Sequence, residues 1–218
     1  MNSQTQEFFI AGEAGQLQCA LDLPDTDQFP EPIGIALVAH PHPLYGGNMA
    51  HKIPVTLTRA FTGLGFATAR MNFRGVDLSA GVHDEGRGET DDMALLLEEM
   101  QRRFPTLPLA ALGGFSFGTY VQAQLQQRLI AQGTPARRLA LVGTAAGKWP
   151  MPKVPADTIL IHGELDDTIA LADVFEWARP QELDVIVVTG AGHFLHKKMT
   201  LIKDYVMKLW WNGEPGDE

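Results

Sequence analysis

Short apolar runs, many of them rich in β-branched residues, alternate along most of the chain with longer segments of helical character. The apolar runs occupy residues 33–39, 66–72, 107–112, 139–142, 158–162 and 185–189. The helical segments occupy residues 57–64, 90–104, 119–131, 171–178 and 201–211. Repeated strand–helix alternation favours parallel strands, because each helix returns the chain to the same end of the sheet. The sequence therefore predicts an α/β fold with a mostly parallel, twisted sheet and helices on both faces.

The two ends of the chain depart from this alternation. Residues 7–11 and 16–23 flank a Gly-containing turn, which predicts an N-terminal antiparallel hairpin at one edge of the sheet. A chain of 218 residues fits one domain of this class, and we expect that domain to span residues 1–212. The acidic segment 213–218 is rich in Gly and Pro, so we expect a flexible tail there.

The net charge, the cysteine content and the first residues limit the classes of partner, of cysteine site and of cellular location that we expect. The formal net charge is −9, and an acidic protein is repelled by nucleic-acid phosphates and by anionic lipids. We therefore expect a small-molecule partner rather than nucleic acid or a membrane, and a monomer or homodimer. Cys19 is the single cysteine, which excludes an internal disulfide and a multi-cysteine zinc site. The first residues lack a signal pattern, so the expected location is the cytoplasm.

One turn in the middle of the chain has a pattern that carries chemistry. Residues 114–118, Gly-Phe-Ser-Phe-Gly, match G-x-S-x-G between a predicted strand and a predicted helix. The glycines allow a sharp turn that raises the serine oxygen above the sheet, at a helix N-terminus that favours negative charge. Ser116 is therefore the candidate nucleophile, and the alternative is an ordinary Gly-rich turn.

A serine hydroxyl needs a base to remove its proton and an acid to orient that base. His193 follows the last predicted strand within a Gly-containing turn, and we prefer it to His196, which lies three residues further on beside two lysines. Glu164, Asp166 and Asp167 follow the preceding strand and compete for the role of the acid. The order along the chain is then serine, acid, histidine.

The loop after the strand at 33–39 is the second part of the predicted site. A developing oxyanion needs N–H donors, one from Phe117 directly after the serine and one from this earlier loop. The two prolines of the loop have no N–H, which leaves His42 and Leu44 as candidates.

Histidines in that loop also suggest an alternative, a metal site built from His40, His42 and His193. Two histidines spaced by two residues in a Pro-braced loop are a weak metal pattern. We therefore predict no metal and no cofactor.

Several of these segments, with the hairpin and the order of the three groups, resemble the α/β-hydrolase superfamily. The segments are residues 40–48, 72–75, 114–118, 162–166 and 190–194. The resemblance covers nearly the whole chain. It is strongest to a small, lidless bacterial branch of predicted hydrolases related to dienelactone hydrolases and to acyl-peptide and acyl-thioester hydrolases.

This resemblance implies an α/β-hydrolase fold and assigns roles to the candidate residues. It implies Ser116 as nucleophile, Asp166 as acid and His193 as base, with His42 and Phe117 as the oxyanion donors. Residue 116 is cysteine in dienelactone hydrolases proper, so their particular substrate is not expected here.

The predicted site lacks a cap domain, because residues 143–157, where lids are usually inserted, are too few to build one. We therefore expect an open, shallow cleft. The residues that are candidates to bind substrate are Leu44, Tyr45, Phe73, Phe115 and Trp149. For Arg74, a place in the pocket and a place on the surface both stay open, and we expect residues 84–89 to form a solvated loop that caps the next helix.

The implied function is that of a serine hydrolase, of the carboxylic ester hydrolase type, that cleaves an acyl ester or thioester through an acyl-enzyme. A serine peptidase or amidase on the same scaffold is one alternative. A non-catalytic binding protein that retains the fold is another, although such a protein does not need all three groups at the strand ends.

Overall fold

The computed structural model describes residues 5–211. Its strands are β1 (Gln6–Gly12), β2 (Gly15–Asp22), β3 (Gly34–Ala39), β4 (Phe66–Met71), β5 (Leu109–Phe115), β6 (Arg138–Val142), β7 (Ile159–Gly163) and β8 (Val185–Val188). Its α-helices are α1 (Lys52–Gly63), α2 (Arg87–Arg103), α3 (Phe117–Ala131), α4 (Leu171–Ala178) and α5 (Met199–Leu209). Short 3₁₀ turns occupy Pro43–Tyr45 and Arg179–Gln181.

The strands form one sheet in the order β1-β2-β4-β3-β5-β6-β7-β8. Neighbouring strands from β4 to β8 in this order are parallel, whereas β2 is antiparallel to both β1 and β4. The predicted α/β fold is confirmed, and the N-terminal hairpin lies at one edge as predicted. All parallel strands therefore end at the same edge of the sheet.

Helices cover both faces of the sheet because successive strand residues point to opposite sides. In β3, Ile35 and Leu37 join the apolar cluster that packs against α2, α3 and α4. The intervening Ala36 and Val38 join the cluster on the other face, where α1 and α5 pack. Strands buried on both faces show continuous apolar runs, which is the pattern read from the sequence.

The strand β5 extends three residues beyond the predicted end at Leu112. Gly113, Gly114 and Phe115 continue the parallel register against Ala140, Leu141 and Val142 of β6. The extension carries the chain to the edge where the strands end, so that the turn at residue 116 lies above the sheet.

The start of α2 differs from the prediction, because the helix begins at Arg87 and not at residue 90. Glu89 is fully buried, and its carboxylate accepts the N–H groups of Asp84 at 2.9 Å and of Gly86 at 2.8 Å. The segment therefore caps the helix as expected, but the expectation of a solvated loop is wrong for Glu89.

Arg74 is buried rather than on the surface, and it is not among the residues that line the cleft beside Ser116. Its guanidinium donates to both carboxylate oxygens of Asp92 at 2.8 Å and to the carbonyl of Gly88 at 2.9 Å. Asp92 is fully buried, so this bidentate pair ties the loop after β4 to α2.

Cys19 lies in β2 with no exposed surface. Burial raises the pKa of its thiol to about 12, because the thiolate would lose its hydration. The side chain therefore acts as a small apolar group in the core.

The predicted limits of the domain reach beyond the described residues. The tail 213–218 lies outside them, as do residues 1–4 and residue 212. Among the helices within residues 5–211, none combines the length and the apolar character that crossing a bilayer requires.

Candidate active site

Ser116 occupies the turn between β5 and α3, where it is the residue before the first turn of the helix. Its backbone has φ 53° and ψ −124°, a region that residues with a Cβ rarely adopt. Such a conformation costs on the order of 1–3 kcal/mol and persists only where the surrounding structure enforces it. This backbone conformation directs the side chain above the sheet at the N-terminus of α3, as the elbow pattern predicts.

The two glycines of this turn permit close backbone contacts. A Cβ at Gly114 would lie 2.6 Å from the carbonyl oxygen of Gly118. A Cβ at Gly118 would lie 2.5 Å from the carbonyl oxygen of Ala39 at the end of β3. Both distances are too short for any side chain, so glycine at 114 allows β5 to approach the start of α3, and glycine at 118 allows α3 to approach the end of β3.

His193 and Asp166 reach Ser116 from the loops after β8 and β7. His193 Nε2 lies 3.0 Å from Ser116 Oγ, and His193 Nδ1 lies 2.7 Å from Asp166 Oδ2. All three residues are buried, with between 6% and 8% of their surface exposed. The structure thus brings together three side chains that are up to 77 residues apart in sequence.

The carboxylate of Asp166 is fixed by its own hydrogen bonds. Its Oδ1 accepts the N–H groups of Thr168 at 2.9 Å and Ile169 at 2.8 Å, which leaves Oδ2 for His193. Burial raises the pKa of Asp166, but the hydrogen bonds from His193 and Ile169 outweigh it, so the net shift of the pKa is downward. An ionised Asp166 only accepts, so Nδ1 of His193 carries the proton and Nε2 is free to accept from Ser116.

The competing residues do not make these contacts. Asp167 and Glu164 are exposed, and Glu164 accepts the N–H of Gly190 at 2.8 Å. His196 is also exposed, and its ring lies 5.9 Å from that of Phe194. Of the alternatives left open by the sequence, Asp166 and His193 are the ones that the structure joins to Ser116 through hydrogen bonds.

The loop after β3 reaches the same site. The N–H of Leu44 donates to His42 Nδ1 at 3.2 Å, so it is already used within the loop. Within residues 5–211, the N–H groups of His42 and Phe117 have no hydrogen-bond acceptor. Both residues border the cleft beside Ser116. Of the two donors left open in this loop, the structure leaves His42 available.

His40 anchors this loop instead of facing the cleft. The ring is fully buried, its Nε2 accepts the N–H of Phe73 at 2.9 Å, and its Nδ1 donates to the carbonyl of Pro41 at 2.6 Å. Burial lowers the pKa of His40 to about 3, so the ring is neutral. Both ring nitrogens are engaged, and among residues 5–211 no three His, Cys, Asp or Glu side chains are grouped to hold a metal ion.

A cleft of about 430 Å³ opens beside Ser116. Its walls come from the loop after β3, the elbow, the connection between β6 and β7, and the turn after Asp166. The residues that form them are His42, Tyr45, Phe117, Ala145, Lys148, Trp149 and 167–169. Residues 143–157 form no helix that covers the cleft.

Of the five predicted substrate-binding residues, the structure places Tyr45 and Trp149 in the wall of the cleft. Phe73 and Phe115 have no exposed surface and belong to the cores on opposite faces of the sheet, so the prediction is wrong for them. Leu44 is 71% exposed but does not line the cleft.

Comparisons with known proteins agree with the fold. A lidless α/β serine hydrolase from Xanthomonas campestris is 30% identical, with a TM-score of 0.84 and 99% of each chain covered. The chain belongs to the α/β-hydrolase superfamily. An α/β serine hydrolase homologue from Coxiella burnetii is 27% identical, with a TM-score of 0.83, covering 93% of this hydrolase and 96% of that chain.

One curated relative of this α/β hydrolase has no assigned activity. It is an uncharacterized protein of Rickettsia prowazekii, 29% identical over 195 residues, which cover 82% of this chain and 80% of the relative. No family model matches the chain. The protein from Xanthomonas campestris is described as a serine hydrolase and that from Coxiella burnetii as a serine hydrolase homologue, which supports hydrolase activity for this protein.

Some residues of the hydrolase cleft are missed by sequence reasoning. Thr168 and Ile169 lie two and three residues after Asp166, and Lys148 precedes Trp149. Their positions next to predicted site residues are the only signal that the sequence offers for them, and the sequence does not indicate which way these side chains point.

Proposed function

We infer that this α/β hydrolase cleaves acyl esters or thioesters of small molecules through an acyl-enzyme formed on Ser116. The observation that carries this inference is the hydrogen-bonded series from Ser116 Oγ to His193 and on to Asp166. A histidine that accepts from a serine and donates to a buried carboxylate is the arrangement that activates a serine nucleophile.

The first half of the reaction forms the acyl-enzyme. His193 Nε2 takes the proton of Ser116 as Oγ attacks the carbonyl carbon of the substrate, and Asp166 stabilises the resulting imidazolium. The N–H groups of Phe117 and His42 donate to the oxyanion of the tetrahedral intermediate. His193 then returns the proton to the departing alcohol or thiol as the bond to that group breaks.

The second half restores the enzyme. Water gives a proton to His193 Nε2 and attacks the acyl carbon, and the new tetrahedral intermediate collapses when Ser116 Oγ leaves and regains the proton. Products are a carboxylic acid and the free enzyme. No metal or cofactor takes part in either half of this proposed reaction.

The nucleophile is tested with Ser116→Ala and p-nitrophenyl acetate as substrate. We expect kcat to fall by roughly 10⁴–10⁶-fold, because removal of the nucleophile leaves only the contributions of the oxyanion donors and of binding. Labelling by a fluorophosphonate probe should disappear in the same variant. A folded Ser116→Ala variant that retains turnover would contradict the assignment.

The base is tested with a matched pair of histidine variants. His193→Ala should lose activity to a similar extent, whereas His196→Ala should stay within about twofold of the wild type, because the exposed His196 ring does not contact Ser116. Parallel assays of an ester and the corresponding amide separate the esterase from a peptidase. Wild-type protein that neither hydrolyses an ester nor takes the label would indicate a binding protein.

A further inference from the structure

The cleft beside Ser116 is lined by both proposed oxyanion donors. His42, Phe117, Trp149 and the turn at 167–169 form its walls. His193 is not among the described residues that line it. The ring of His193 instead packs between Phe115 and Phe194, with ring centroids 5.1 and 5.2 Å away. Among the described residues, the wall of the cleft therefore includes the proposed oxyanion donors but not the proposed base.

The position of His193 decides which half of an ester occupies the cleft. The leaving group receives its proton from His193 Nε2, so its oxygen or sulfur must lie on the histidine side. The neighbouring Phe194 is 46% exposed, so its ring is accessible to a leaving group. The acyl half must then extend away from His193, into the cleft.

Trp149, in the wall of the cleft, is held in place by other aromatic rings. Trp149 stacks on Tyr120 at 5.2 Å with an interplanar angle of 25°, and meets the edge of Phe117 at 4.8 Å. Its ring also lies 5.7 Å from that of His42. Trp149 remains half-buried in the cleft wall, so a ligand can contact an indole whose orientation is already fixed.

Charge and volume define the acyl group further. Lys148 and Asp167 both line the cleft, and their opposite charges give no net preference for an ionic group. A volume of about 430 Å³ is near the lower end for ligand pockets and admits a single ring with a short connector. Flat groups gain most from a fixed aromatic wall, because ring–ring contact adds to the burial of apolar area.

We propose that the cleft is the acyl pocket, that Trp149 determines its specificity, and that esters of flat, uncharged aromatic or conjugated acids are the preferred substrate class. This inference rests on the proposed serine hydrolase activity. It concerns which ester is cleaved, so a failure of the inference would not contradict the proposed roles of Ser116, His193 and Asp166.

The test compares two esters with the same leaving group, p-nitrophenyl acetate and p-nitrophenyl cinnamate. Trp149→Ala should lower the ratio of kcat/KM for the cinnamate to that for the acetate by about tenfold. Trp149→Phe, which keeps a ring, should lower this ratio by less than about threefold. Phe194→Ala, which removes an aromatic ring on the histidine side, should leave the ratio unchanged.

The possible outcomes distinguish a failure of the acyl-pocket inference from a failure of the proposed hydrolase activity. An equal loss on both esters in Trp149→Ala would overturn the inference, because the tryptophan would then support the site without selecting the acyl group. If Trp149→Ala loses more kcat/KM for naphthyl acetate than for methyl acetate, the inference is also overturned, because the cleft would then hold the leaving group. If wild-type protein and Ser116→Ala hydrolyse every ester at the same low rate, the proposed activity itself fails.

Discussion

Replacing Asp166 with asparagine exchanges one carboxylate oxygen for an NH₂ group and leaves the shape of the side chain nearly unchanged. The structure determines which way the amide must face. Oδ1 accepts two backbone N–H groups, from Thr168 at 2.9 Å and from Ile169 at 2.8 Å. An NH₂ group cannot accept them, so the amide oxygen stays there and the NH₂ group turns toward His193.

This orientation reverses the proton arrangement of His193. The amide donates to Nδ1, which lies 2.7 Å from this position in the wild type, so the ring proton moves to Nε2. Nε2 then faces Ser116 as a donor and cannot take the serine proton. The wrong tautomer costs about 10⁴-fold in kcat in an equivalent triad, which corresponds to about 5 kcal/mol of activation free energy.

The assay is kcat for p-nitrophenyl acetate, measured with the melting temperature of each variant. Asp167→Asn serves as the neighbouring comparison and should retain activity within about threefold, because this exposed carboxylate does not contact His193. An Asp166→Asn variant that melts like the wild type and retains more than a tenth of its kcat would refute the tautomer argument. A large loss in Asp167→Asn alone would transfer the role of the acid to that residue.

Two further substitutions test the packing that supports the site. Gly118→Ala should destabilise the protein by about 1–3 kcal/mol and lower kcat, because the new Cβ would lie 2.5 Å from the carbonyl oxygen of Ala39; an unchanged melting temperature would contradict this contact. Arg74→Ala should cost about 3–5 kcal/mol in urea unfolding, because Asp92 is fully buried and would lose its counter-ion. A loss below about 1 kcal/mol would show that Asp92 is compensated in another way.

The sequence predicted the elements of this fold because their signals are local. Apolar runs located the strands to within a few residues, and α4 was predicted with its observed limits, Leu171–Ala178. The turn at Ser116 was also predictable, because the strain at that serine and the close approaches at Gly114 and Gly118 depend on residue types within one short segment.

Other predictions failed where distant contacts decide the outcome. For Arg74 the sequence left a pocket position and a surface position open, and the structure instead buries it beside its partner Asp92. Phe73 and Phe115 lie near the ends of predicted strands, where a substrate-binding role was expected, yet they are buried in the two cores. The position of a residue in the sequence indicates where its backbone lies, but it does not indicate which layer of the fold its side chain enters.

The sequence by itself determined the α/β fold, the elbow that carries Ser116, and the set of acids and histidines that reach the same edge of the sheet. Periodicity and turn chemistry are properties of neighbouring residues, so they can be read without coordinates. The resemblance to α/β hydrolases implied Asp166 and His42, but only the tertiary structure shows that Asp166 contacts His193 and that Leu44 uses its N–H within the loop. Within residues 5–211, the N–H of His42 has no acceptor. These contacts depend on the direction of individual hydrogen bonds within and between loops that are far apart in the chain. Only the packing of the folded protein sets that direction.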